Sequence, residues 1–153
     1  MEKENAKYSW ESQCEYEYRK ETGKIAVEIS LALTAIGEVT ASKTYDYAEI
    51  KEKIDKCYKT VRYMAIPKLY ENVHKYLQEA LHSYAQALEL LVGAAKNTDV
   101  EGVHRAGRII EEGNCFIKIT KLRIWMHVED RIKEDKNVGS IDGAGKVVKL
   151  PTG

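Results

Sequence analysis

Apolar residues recur at intervals of three and four almost without a break from Ser9 to Glu134, the mark of amphipathic α-helices rather than strands. In the first segment Trp10, Cys14, Tyr18, Ile25, Ile29, Ala32, Leu33, Ile36 and Val39 share one face at about 3.6 residues per turn. Gly23 interrupts this segment, but the stripe keeps its phase across it, which predicts one long helix. A second helix is predicted from Tyr45 to Tyr63, with Tyr47, Ile50, Ile54, Cys57 and Val61 inward.

Pro67 then stands where proline favours the first turn of a new helix. The third helix carries Tyr70, Val73, Leu77, Leu81, Tyr84, Leu88 and Leu91 on its face, flanked by Leu69, Tyr76, Ala80 and Ala87. Thr98 and Glu101 have capping-box spacing, which predicts that Thr98 starts the fourth helix, running from Val100 to Glu134.

Long amphipathic helices joined by short connections predict an all-α fold, an antiparallel up-down-up-down four-helix bundle. The first and last helices outrun their neighbours, so both are expected to overhang the Pro67 turn and to carry Trp10, Tyr18, Trp125 and Met126 there. Residues 1–135 form the bundle, and residues 136–153, which lose helical periodicity, form a flexible glycine-containing tail. Gly143 and Gly145 in that tail follow no strand and open no helix, so they do not make a nucleotide-binding loop.

The fourth helix departs from the ordinary pattern. Ile117, Ile124 and Val128 continue the core stripe begun by Val103, Ala106 and Ile110. Cys115, Ile119, Leu122 and Met126 form a second stripe on roughly the opposite side, with the four-three-four steps of a coiled-coil seam. One buried stripe suffices in a bundle. Leaving large apolar side chains in water forgoes about 1.5–3 kcal/mol each. A cover is therefore expected: a symmetry mate, the chain's own N-terminal segment or tail, or another protein or apolar ligand. Closed dimers are the commonest oligomers, which favours the symmetry mate. The expected interface comprises Trp10, Cys115, Ile119, Leu122, Trp125 and Met126. Ten tyrosines against one phenylalanine fit half-buried and interfacial positions.

Composition narrows the function. Basic and acidic residues balance at 24 each, with no basic stripe for nucleic acid and no cationic membrane-surface helix. The first residues lack the apolar core of a secretory signal, and no run reads as long enough to span a membrane. Cys14, Cys57 and Cys115 are odd in number and widely spaced, which suits a reduced, cytoplasmic protein.

Three Glu-x-x-His pairs, Glu71/His74, Glu79/His82 and Glu101/His104, have the spacing used in di-metal carboxylate bundles. Helical phase turns them away from the apolar arcs, with His74 at an arc's edge, so all three are expected on exposed surface and no metal ligand or cofactor is assigned. His127 lies near Glu129 and Asp130 as an ordinary surface group. With no catalytic constellation, the sequence points to an interaction or regulatory module that pairs as a homodimer. A di-metal oxidoreductase and a small-ligand-binding bundle stand as alternatives.

Overall fold

A computed structural model of the chain describes residues 6–139, with side-chain surroundings to residue 134. Among these residues it is all-helical, with four long helices and no strand: α1 (Gln13–Ser42), α2 (Ala48–Tyr63), α3 (Glu71–Asn97) and α4 (Val100–Gly139). A single 3-10 turn, Lys68–Tyr70, leads into α3. The tail from residue 140 onward lies outside the described residues, while α4 continues to Gly139, past the predicted boundary at 135.

Local chemistry sets the helix ends. Ser12 caps α1: its Oγ accepts from the Glu15 N–H at 3.1 Å, and Glu15 Oε1 accepts from the Ser12 N–H at 2.8 Å. This capping box satisfies two otherwise orphaned N–H groups and starts the helix three residues after Trp10, which is therefore not helical. α1 runs unbroken through Gly23, as its phase predicts. The predicted cap at Thr98 is corrected. Thr98 sits at φ 52° in the left-handed region that closes α3, and Asp99 caps α4 by accepting from the Gly102 N–H at 3.0 Å. Pro67 precedes the 3-10 turn, its carbonyl accepting from the Tyr70 N–H at 2.9 Å.

The core follows the predicted faces. Ile25, Ile29, Ala32 and Ile36 from α1 meet Ile50, Ile54 and Val61 from α2, Leu77, Leu81, Leu88 and Leu91 from α3, and Ala106 and Ile117 from α4. Cys14, predicted inward, is exposed in the first turn of α1. The most extensive backbone approach is between α3 and α4. Both helices bury small residues at heptad spacing: Ala80, Ala87 and Ala94 on one, Ala106, Gly113 and Thr120 on the other. Close approach makes glycine necessary at Gly113, where an added Cβ would stand 2.9 Å from the Tyr84 ring. By contrast, α1 and α4 approach each other only sparsely along the backbone.

Candidate functional site

The second stripe of α4 faces outward. Leu122 is 59% exposed and Met126 52%, Cys115 is exposed, and Ile119 is half-buried. Trp125, at the edge of the stripe towards α1, is 42% exposed. On α1, Val27 and Leu31 are also exposed, one turn apart. That helix contains an 18-residue window of mean hydropathy 1.5, only 22% buried, and is long and apolar enough to cross a membrane by length and composition. The expectation that no run reaches that length is corrected. A core helix meets the same criterion, and α1 buries Ile25, Ile29, Ala32 and Ile36 inside the bundle.

Trp10 is separated from the rest of the predicted interface. Its ring stacks on Tyr8, meets His127 edge-on at 6.1 Å and lies under Arg131 at 5.4 Å. His127 stands about 160° around the helix from Trp125. Trp10 thus covers the flank of α4 that adjoins Tyr70, not the outer stripe. Tyr18, predicted on an overhang, is buried level with the Pro67 turn, stacked on Tyr70 at 5.0 Å.

Next to Trp10 lies a buried cluster of polar and titratable groups. Glu11 and Arg19 form a buried bidentate pair, Nε to Oε2 at 2.9 Å and Nη2 to Oε1 at 2.8 Å. Arg19 also donates to the Ala6 carbonyl at 2.6 Å, and Glu11 Oε1 accepts from the Tyr8 N–H at 2.9 Å, pinning the N-terminal segment to α1. Burial opposes ionisation of Glu11, but the hydrogen bonds from Arg19 and Tyr8 outweigh it and hold the carboxyl below its ordinary value. Burial pushes the Tyr70 phenol up to about 12, and its hydroxyl has no hydrogen-bond partner among the described residues.

His74 corrects the expectation that all three Glu-x-x-His pairs lie on the surface. It is buried, with Nε2 on the Val61 carbonyl at 3.0 Å and Nδ1 on the Tyr18 hydroxyl at 3.0 Å. The carbonyl can only accept, so Nε2 carries the proton and Nδ1 accepts from Tyr18. Both ring nitrogens are thereby committed, and Glu71 is exposed and turned away. Glu79, His82, Glu101 and His104 are exposed. Among the described residues no three His, Cys, Asp or Glu side chains are grouped to hold a metal ion. His74 is therefore a structural tie between α1, α2 and α3, with neither nitrogen free to move a proton to or from a substrate.

Comparison with protein-family models, with curated proteins and with solved structures finds no match.

Proposed function

We propose that this chain is a non-catalytic interaction or regulatory module that self-associates as a homodimer through the outer face of α4. Cys115, Ile119, Leu122 and Met126 form the seam and Trp125 its edge, while Trp10 secures the end of the helix beside it. The observation that carries this reading is the exposure of Leu122, Trp125 and Met126 on a helix whose opposite face buries Ile117, Ile124 and Val128. Coiled-coil spacing suits these residues to a second helix of the same kind, and a two-fold axis would let one stripe cover another.

The bundle is read as antiparallel, up-down-up-down. Gly102 beside Ala94, Gly113 beside Tyr84, Phe116 beside Tyr76 and His127 beside Tyr70 pair ascending positions on α4 with descending ones on the preceding segment, which supports that topology. The 40 residues of α4 against 27 in α3 support an overhang at its C-terminal end. Three unpaired cysteines, two of them exposed, fit a reducing, cytoplasmic setting. The reading is tested by the solution mass of the chain and of a double variant, Ile119→Glu with Leu122→Glu.

A further inference from the structure

The sparse approach of α1 and α4 leaves an open groove of about 740 Å³ between them. Gly23 lies in its α1 wall, and a Cβ placed there would meet nothing within 4 Å. The missing side chain is part of what keeps the groove open. Ala26 and Val27 from α1 and Ile124 and Trp125 from α4 supply an apolar lining. Lys20 and Lys24 stand on one wall and Lys121 on the other, and no carboxylate lines the groove. None of these three lysines forms an ion pair with a carboxylate among the described residues, whereas the nearby Arg19 is engaged by Glu11.

Its volume falls in the range of roughly 300–1,000 Å³ typical of small-molecule sites, which combine apolar walls with a few placed polar groups. Cations on both walls and anions on neither select an occupant of matching polarity: an apolar body with a negatively charged end. The C-terminal segment of the chain is a poor match, because Lys146 and Lys149 flank its apolar Val147 and Val148 and would repel the groove lysines.

We infer that the α1–α4 groove binds a single-chain anionic amphiphile of the long-chain carboxylate class. The chain lies along Val27, Ile124 and Trp125, and the carboxylate sits between Lys20 or Lys24 and Lys121. Trp125 reports on binding directly, because the protein has only one other tryptophan, Trp10. This site adjoins the proposed dimer seam at Trp125 but is lined by neither Ile119 nor Leu122, so Ile119→Glu with Leu122→Glu should leave amphiphile binding intact.

The test uses palmitate, below the concentration at which it forms micelles, added to a Trp10→Phe variant whose helicity matches the parent. The expected result is a saturable blue shift of Trp125 emission at one equivalent, with the same stoichiometry by calorimetry on the unaltered chain. Gly23→Leu grows into empty space and improves helix propensity, so it should fold and lose binding. Lys24→Glu combined with Lys121→Glu should weaken palmitate by about tenfold or more, and hexadecanol should bind the parent weaker than palmitate by a similar factor. The proposal is overturned if the parent gives no saturable response or if Gly23→Leu binds palmitate like the parent. It is equally overturned if a response requires phosphatidylglycerol vesicles, or arises with an acidic amphipathic helical peptide and not with palmitate.

Discussion

The Tyr18 hydroxyl donates to Nδ1 of His74 across 3.0 Å, linking residues 56 positions apart in the chain. The other ring nitrogen donates to the carbonyl of Val61, in the last turn of α2, where helix carbonyls lack an intrahelical partner. One neutral imidazole therefore ties three helices together and closes the end of one of them.

That arrangement sets a pH dependence. Burial, partly opposed by the Val61 carbonyl, lowers the His74 pKa below its ordinary value of 6.5. Below pH 6.5 the unfolded chain therefore binds the proton more readily than the folded one, and stability falls from there down to the folded pKa. Above 6.5 both states are neutral at this residue and it contributes no slope. Thermal melts should show Tm decreasing from pH 7.5 to 5.5, and His74→Gln should flatten that decrease. Glu11 acts in a separate window, its contribution present above 4.5 and lost as pH falls through its lowered folded value. His74→Leu should cost about 1–3 kcal/mol at neutral pH in urea unfolding, by stranding the Tyr18 hydroxyl and the Val61 carbonyl.

The Glu11–Arg19 pair should be costly to break from one side. Its side chains are 0% and 8% exposed, so Arg19→Met leaves an ionised carboxylate buried without its partner. Loss of one partner of such a pair typically destabilises by about 3–5 kcal/mol. Denaturant unfolding of Arg19→Met and of the double variant Glu11→Gln with Arg19→Met separates the two effects. The double variant is expected to recover part of the loss.

Gly113 and Tyr84 make a sharper steric prediction. An added Cβ would lie 2.9 Å from the ring, which is held by a hydrogen bond from its hydroxyl to Asn114 Oδ1 at 2.6 Å. Gly113→Ala should therefore destabilise by about 1–3 kcal/mol through overpacking, despite alanine's better helix propensity. Gly107, on the same helix with open space around it, is the control, and Gly107→Ala should be neutral or stabilising.

The three thiols should divide by exposure. Cys14 and Cys115 are exposed, whereas Cys57 is buried and burial pushes its thiol pKa up. A chromogenic disulfide reagent should therefore modify two thiols rapidly and the third only on unfolding. If Cys115 lies in a dimer seam, its modification should slow as protein concentration rises, while that of Cys14 should not.

Periodicity made the helices legible, because burial at the centre of a helix's apolar arc follows its phase. Every inward residue named for α2, and the whole inward face of α3 from Tyr70 to Leu91, is buried. The outer stripe of α4 was legible for the same reason. What phase cannot give is the neighbourhood of a residue at the edge of an arc. His74 is buried because Tyr18 and Val61 converge on it from other helices. Glu11 and Arg19 meet only because Tyr8 to Glu11 turns the chain back over α1. Thr98 and Ser12 both have capping-box spacing, and only the left-handed turn at Thr98 passes the capping role there to Asp99. The groove was not legible, because it depends on how far apart α1 and α4 stand beside Gly23.

The most direct test of the central claim is the solution mass, by light scattering on a sizing column, of the parent chain and of Ile119→Glu with Leu122→Glu. The parent should elute at twice its 17.4 kDa chain mass, and the double variant at the monomer mass with unchanged helicity. A parent that stays monomeric at high concentration, or a double variant that remains a dimer, would contradict the outer face of α4 as the self-association surface.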